Sequence, residues 1–152
     1  MIVPKVNGGQ IVRFVPWLIC CASNADSFLF MPDQRKVIAI VDDEQTMLKA
    51  IERLLTARGF ATQCFASAEE FLDCRTAQDA DCLVLDIHLD GMSGIELRRR
   101  LKAVRSKIPV IFITAIDDQS VHREAMEAGC VACLHKPFQS SLLVDAIDNA
   151  TR

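Results

Sequence analysis

Residues 37–43, Val-Ile-Ala-Ile-Val-Asp-Asp, join an unbroken apolar run to two carboxylates, and this stretch decides the fold class. Most of the apolar residues are β-branched, which is typical of a strand buried on both faces of a parallel sheet. Helices must cover both faces of such a sheet. The chain around this strand should therefore alternate strands with helices.

The chain from residue 36 onward repeats this strand-then-helix pattern. Further strands are predicted at 61–65, 82–86, 110–113 and 131–134, and helices after residue 44, at 67–72, after 93, after 117 or 118, and near 142–150. Ser67 and Ser93 each precede a Glu by three residues, the spacing of a capping box at a helix start. The last helix is expected to bury an apolar stripe that includes Leu142. The predicted fold class is α/β, with a doubly wound five-stranded parallel sheet.

Composition excludes several classes of protein. The chain has 152 residues, of which 51% are hydrophobic and 24% charged, which is the balance of one globular domain and not of a disordered chain. Its formal net charge of −3 argues against a fold-wide nucleic-acid surface. No apolar run approaches the roughly eighteen residues that span a membrane. Seven irregularly spaced cysteines favour reduced thiols, so a cytoplasmic location is expected.

The first 35 residues do not share the regular pattern. A poorly ordered N-terminal extension over 1–35 is therefore expected ahead of a domain over 36–152. The apolar segment 14–22 is a weak secretory signal, because it is short, contains a proline and lies far from the start. A translation start placed too early, with Met31 as the true start, is the competing interpretation. The sequence leaves open whether residues 1–30 belong to the mature protein.

Reactive side chains stand at the ends of four predicted strands. Asp42 and Asp43 follow the first, Asp86 ends the third, Thr114 ends the fourth, and Lys136 follows the fifth. The carboxyl ends of parallel strands meet at one edge of a sheet, so these groups should converge. Clustered carboxylates require a hard cation, and Mg²⁺ suits best because it also shares its shell with phosphate. A carboxylate beside Mg²⁺ and a lysine can attack phosphorus and form an acyl phosphate, so the site is predicted to receive a phosphoryl group.

Four motifs at these strand ends resemble those of one family. They are Val-Asp-Asp-Glu at 41–44, Leu-Asp-Ile-His-Leu-Asp-Gly-Met-Ser-Gly at 85–94, Ile-Thr-Ala at 113–115 and His-Lys-Pro-Phe at 135–138. In this order they resemble the receiver domain of bacterial two-component response regulators, most closely the nitrogen-fixation and LuxR-type regulators. The resemblance covers residues 36–152 and implies a flavodoxin-like (βα)5 receiver fold.

The resemblance also implies roles for three side chains. Asp86 matches the phosphoacceptor, which takes its phosphoryl group from a phosphohistidine of a sensor histidine kinase. Thr114 matches the switch hydroxyl that moves towards the phosphoryl group. Lys136 matches the phosphoryl-binding lysine, whose peptide bond to the next residue, here Pro137, is usually cis in the family.

The implied metal site uses the acidic residues at the same edge. Asp42 and Asp43 match the pair that holds Mg²⁺, and of the two Asp43 is the one expected to bind the ion directly. Asp86 is also expected to contact the ion. The remaining protein ligand in the family is a backbone carbonyl two residues after the acceptor, which is that of His88 here.

The implied function is a phosphorylation-driven switch and not a turnover enzyme, with only self-phosphorylating and autodephosphorylating activity. Its expected partners are a sensor histidine kinase and either a downstream effector protein or a second copy, bound through the last two helices and the fifth strand. No nucleic acid or membrane contact is expected within this chain. Because the chain ends after the last predicted helix, the sequence leaves open whether it acts alone or within a longer DNA-binding regulator.

The sequence departs from the family pattern at several positions. Asp90 replaces a common proline four residues after the acceptor, and Cys133 replaces the aromatic residue at the switch position. The usual rotation of a ring coupled to Thr114 cannot occur with a cysteine. His88 and Ile116 lie where family members control access of the hydrolytic water, so an altered lifetime of the phosphorylated state is expected.

Two other functions compete with the switch. Cys133 keeps open a phosphate sink or a phosphorylation-insensitive interaction module, in which the conformational output has been lost. An aspartyl phosphatase acting on an outside substrate is the third hypothesis. It requires a second aspartate two residues after the nucleophile Asp86, where this chain has His88.

Simpler interpretations apply to individual residues. Asp42 and Asp43 could cap a helix, and Lys136 could be a solvated loop lysine. Cys130 and Cys133 form a single CxxC, which we interpret as packing because residues i and i+3 of a strand point to opposite faces. Arg98, with the two arginines after it, is interpreted as part of a solvated helix face.

Overall fold

The structure is a computed structural model that describes residues 35–152. In chain order its elements are β1 (Val37–Val41), α1 (Gln45–Ala57), β2 (Ala61–Phe65), α2 (Ala68–Asp73), a 3₁₀ turn (Arg75–Asp79), β3 (Cys82–Asp86), α3 (Gly94–Ala103), β4 (Val110–Thr114), α4 (Gln119–Ala128), β5 (Ala132–His135) and α5 (Ser140–Ala150). The predicted N-terminal extension over 1–35 lies outside the described residues except for Arg35. No helix within the described range is long and apolar enough to cross a membrane.

The strands of the described region form one parallel sheet in the order β2-β1-β3-β4-β5. This is the doubly wound, flavodoxin-like order that the alternating pattern predicts. The chain winds outward in opposite directions from β1 and β3, which pair side by side with Ile38 opposite Cys82. Ligands bind outside the carboxyl ends of strands at such a switch point, so the fold places a binding site beyond β1 and β3.

Two apolar layers, one on each face of the sheet, hold the helices in place. One layer joins α1 and α5 to the alternate strand residues that include Ile38 and Ile40. The other joins α2, α3 and α4 to residues of the opposite parity, such as Ala39 and Phe112. Every residue of β3 and β4 is buried. Burial of both faces explains why these strands are continuous apolar runs and not alternating ones.

Side-chain caps begin three helices where the sequence predicts them. The hydroxyl oxygens of Ser67 and Ser93 accept hydrogen bonds from the backbone N–H three residues later, at 3.1 and 3.2 Å. The Asp118 carboxylate accepts one from the N–H of Ser120 at 2.7 Å, which selects Asp118 over Asp117 as the cap of α4. These contacts are local, and for that reason residue spacing alone predicts them.

Two sequence predictions about packing are wrong. Leu142 is half exposed, and Val144 takes its place in the buried face of α5. Cys130 and Cys133 do not face opposite sides of the sheet, since both pack against the apolar layer between the sheet and helices α2, α3 and α4. Cys130 precedes the start of β5, so the alternation of a strand does not apply to it. Both thiols are free and half-buried, in agreement with a packing role.

Gly94 brings the start of α3 against the end of β3. Its N–H donates to the carbonyl oxygen of Ile87 at 3.0 Å. A Cβ at this position would overlap the carbonyl oxygen of Asp86 and lie 3.1 Å from the Cα of Ile87. Only glycine therefore permits this close approach of two backbone segments.

The substitution Gly94→Ala is expected to lower the free energy of unfolding by about 3 kcal/mol, because the overlapping atoms belong to the backbone and cannot turn aside. Gly59→Ala is the matched control. Gly59 has a φ of +87°, and a Cβ added there would meet no atom within 4 Å, so its loss is expected to be about 1 kcal/mol. Urea unfolding measures both, and equal losses would contradict the steric role of Gly94.

Candidate functional site

The carboxyl edge of the sheet brings acidic residues of two neighbouring strands together. Asp42 and Asp43 directly follow β1, and Asp86 is the last residue of β3. Asp42 and Asp86 are only 1% and 7% exposed, whereas Asp43 lies at the surface. Carboxylate oxygens of all three lie within 4.8 Å of one another. The predicted convergence of these side chains is thus present in the structure.

Lys136 lies between the two buried carboxylates. Its Nζ is 3.0 Å from Oδ2 of Asp42 and 2.8 Å from Oδ2 of Asp86. Its backbone N–H donates to the carbonyl oxygen of Thr114 at 2.8 Å, and its peptide bond to Pro137 is cis, as the resemblance implies. The interpretation of Lys136 as a solvated loop lysine is wrong, because its side chain is only 12% exposed and contacts two carboxylates.

The edge carries more negative charge than Lys136 neutralises. Burial raises the pKa of the Asp42 carboxyl and outweighs the lowering by the Glu44 N–H and by Lys136. Burial lowers the pKa of the Lys136 ammonium. The hydrogen bonds and charges of Asp86 and Asp42 together raise it by more, so the pKa of Lys136 lies above its usual range. Three carboxylates and one ammonium leave a site that a hard, oxygen-binding cation fits. The described acidic group can therefore bind a metal ion.

The loop after Asp86 is tied back to these carboxylates through its backbone. The N–H of His88 donates to Oδ1 of Asp86 at 2.9 Å, and the N–H of Asp90 donates to Oδ2 of Asp43 at 3.1 Å. The side chains of His88 and Asp90 are exposed. The loop follows the edge of the site, with its main chain towards the acidic group.

No hydrogen bond joins the Thr114 hydroxyl to the acidic group in the described part of the chain. Thr114 is buried at the end of β4, and its Oγ1 accepts a hydrogen bond from the N–H of Ile116 at 3.1 Å. The same hydroxyl lies 3.4 Å from the carbonyl oxygen of Ile116 as a donor. The sequence prediction places Thr114 at the edge where the structure has it. It does not anticipate that the Thr114 hydroxyl hydrogen-bonds to the backbone of Ile116 in the loop that follows β4.

A cavity of about 610 Å³ lies beside Thr114, between α4 and the neighbouring strands. Its lining includes Cys133, Met126, His122 and Ile116. Cys133, at the position where the resemblance implies an aromatic ring, is half-buried there. The space next to Thr114 is therefore bounded by a small thiol on the β5 side.

Sequence reasoning missed the roles of two residues that hold the loop after Asp86 in place. One is Gly94, described above. The other is Glu69 in α2, whose Oε1 accepts a hydrogen bond from the N–H of Met92 at 3.0 Å. The spacing of Ser67 and Glu70 predicts only a helix cap, and no local spacing connects Glu69 to Met92, 23 positions later.

Comparison with known proteins agrees with the motifs. A family model described as the response regulator receiver domain matches residues 38–148. Response regulator protein TodT of Pseudomonas putida is 36% identical over 122 residues, which cover 80% of this chain and 54% of TodT. Transcriptional regulatory protein FixJ of Rhizobium meliloti is 39% identical over 114 residues, which cover 75% of this chain and 56% of FixJ.

A solved structure supports the same assignment. The crystal structure of FixJ-N matches with a TM-score of 0.71 and 39% identity, over 78% of this chain and 94% of that one. The chain spans about half the length of the TodT and FixJ proteins. The expected family is confirmed, and the similarity to FixJ agrees with the expected nitrogen-fixation subgroup. This chain belongs to the receiver domains of two-component response regulators.

Proposed function

We propose that residues 36–152 form a phosphorylation-driven switch in which Asp86 accepts a phosphoryl group from a sensor histidine kinase. The single observation that carries this proposal is the Lys136 ammonium between two buried carboxylates at the strand edge. An ammonium in that position can hold a phosphoryl oxygen while Asp86 reacts. Family membership supports the same assignment.

In the proposed reaction a carboxylate oxygen of Asp86 attacks phosphorus. A new O–P bond forms, the P–N bond to the kinase histidine breaks, and the histidine retains its electron pair. Lys136 neutralises part of the incoming charge. The N–H of His88, which donates to Asp86 in this state, fixes the orientation of the acceptor carboxylate.

We assign Mg²⁺ to Asp42, Asp43, Asp86 and the backbone carbonyl of His88. The described acidic group offers carboxylate oxygens as metal ligands, and two of its carboxylates are buried with the Lys136 ammonium between them. When bound, the ion neutralises negative charge on the carboxylates and on the phosphoryl oxygens.

The proposed output is a change in partner binding in the cytoplasm. The surface assigned to it consists of α4, β5 and α5, and its partner is an effector protein or a second copy. Thr114 is the residue that connects the acceptor edge to this surface, because it lies at the end of β4 and lines the cavity against α4. Activity towards itself, by self-phosphorylation and autodephosphorylation, is the only catalysis proposed.

A phosphate sink is the second candidate, and two observations favour it. The hydroxyl of Thr114 is engaged by Ile116, and Cys133 provides no ring to rotate. In a sink, phosphorylation of Asp86 would change the acceptor loop but leave the α4–β5–α5 surface as it is.

The acceptor assignment predicts a covalent adduct. Incubation with Mg²⁺ and acetyl phosphate should add one phosphoryl group, roughly 80 Da, to the wild-type chain and none to Asp86→Asn, which lacks the nucleophilic carboxylate. Intact-mass spectrometry measures this. EDTA should abolish the adduct in the wild type. An adduct that persists in Asp86→Asn would refute the assignment of Asp86.

The metal assignment predicts that Mg²⁺ stabilises the fold. At a Mg²⁺ concentration one hundred times Kd, the free energy of unfolding should rise by about 2.7 kcal/mol, because the ion binds only the folded chain. Asp43→Asn should lose most of this gain. Asp90→Asn removes a nearby exposed carboxylate outside the described acidic group and should retain it. Thermal unfolding with and without Mg²⁺ measures the gain, and equal behaviour of the two variants would contradict the ligand set.

The switch and the sink differ in hydrogen exchange. With beryllofluoride and Mg²⁺, which imitate the acyl phosphate, the switch predicts altered amide exchange in α4 and β5 as well as in residues 87–93. The sink predicts a change confined to that loop. Exchange mass spectrometry of wild type and Asp86→Asn separates the two, and the variant should show no change in either case.

A further inference from the structure

We propose that Glu69 is a positioning residue that holds the loop of residues 87–93 against the acceptor edge, so that the backbone of His88 stays available to the metal ion. This inference rests on the proposed function. It assigns to α2 a part in phosphoryl transfer, although α2 contributes no group to the acidic cluster.

The Glu69 carboxylate contacts the backbone of the loop at Gly91 and Met92. Its Oε1 is 3.0 Å from the N–H nitrogen of Met92. A Cβ on Gly91 would lie 3.1 Å from the same oxygen. The carboxylate thus lies directly against the main chain of the loop, and Gly91 provides the space for it.

Three carboxylates accept backbone N–H groups from this loop. Asp86 accepts from His88, Asp43 accepts from Asp90, and Glu69 accepts from Met92. Asp86 and Asp43 belong to the reacting set. Their charge and coordination change when the metal ion binds and when the acyl phosphate forms.

Glu69 lies outside that set, so its contact with the loop can persist through the whole cycle. Its own backbone N–H and that of Met92 lower the pKa of the Glu69 carboxyl, so it remains ionised at neutral pH. An ionised acceptor binds an N–H more strongly than a neutral one does. These properties suit a constant anchor for a loop whose two other anchors take part in the chemistry.

The test compares Glu69→Ala and Glu69→Gln with Glu70→Ala. Glu70 is the matched control, because it is the neighbour of Glu69 in α2 and its carboxylate accepts from the N–H of Ala66, just before α2, at 2.8 Å. Calorimetric titration with Mg²⁺ should show about a tenfold higher Kd for Glu69→Ala, as for the loss of other groups that orient metal ligands. Glu69→Gln retains an acceptor oxygen and should show an intermediate Kd. Glu70→Ala should equal the wild type.

Hydrogen exchange gives a readout that does not depend on phosphorylation. The amides of the loop of residues 87–93 should exchange faster in Glu69→Ala than in Glu70→Ala, with or without Mg²⁺. An unchanged Mg²⁺ Kd and unchanged exchange in Glu69→Ala would overturn the proposal. If Glu69→Ala does not fold, the Kd of Glu69→Gln decides, and a value equal to that of the wild type would overturn it.

Failure of the proposed function would look different from failure of this inference. In that case the wild type itself would form no Mg²⁺-dependent adduct with acetyl phosphate. A wild type that forms the adduct, together with a Glu69→Ala variant that matches it in Mg²⁺ affinity and loop exchange, would reject only the role of Glu69.

Discussion

The ammonium of Lys136 is the charge on which the carboxyl edge depends. Asp42 and Asp86 are buried side by side, and two like charges in that position would repel each other and lose their hydration. Lys136 contacts both, so it connects the ends of β1 and β3 to the start of the loop after β5. Removing one partner of such a buried pair typically costs about 3–5 kcal/mol, because the remaining charge is left without compensation. The single ammonium of Lys136 does not balance the three carboxylates of the edge, so a net negative charge remains. A cation that binds there would neutralise this charge.

The fold follows from local patterns to a large extent. Continuous apolar runs predict the buried strands, and the spacing of Ser67 and Ser93 to the acids that follow predicts the caps, because each signal depends only on residues close in sequence. The 3₁₀ turn at Arg75–Asp79 has no such signal. The exposure of Leu142 and the shared side of Cys130 and Cys133 depend on where neighbouring elements end and pack, which the local pattern does not contain.

For the site, the sequence predicts which side chains converge but not which hydrogen bonds they make. The rule that parallel strands end at a common edge brings Asp42, Asp86 and Lys136 together without any structural information. It does not specify hydrogen-bond partners. The engagement of Thr114 by Ile116, and the contact of Glu69 with Met92, arise from loop conformation and from contacts between distant segments. Sequence therefore predicts which side chains meet at the edge better than it predicts how the surrounding main chain is held.

The contact between Gly94 and Ile87 closes the acceptor loop into a ring. Because the N–H of Gly94 bonds to the carbonyl of Ile87, and because no side chain fits between Gly94 and Asp86, both ends of the loop are held at a constant separation. The number of residues within the ring is then constrained by geometry. Ile87 and Met92 are buried in the core, whereas the exposed side chains of His88 and Asp90 take no part in the closure. An insertion or deletion would displace the acceptor, whereas substitutions such as Asp90 for proline leave the closure intact. The exposed positions of the loop can thus differ in chemistry at constant length, which separates the tuning of the site from the position of its nucleophile.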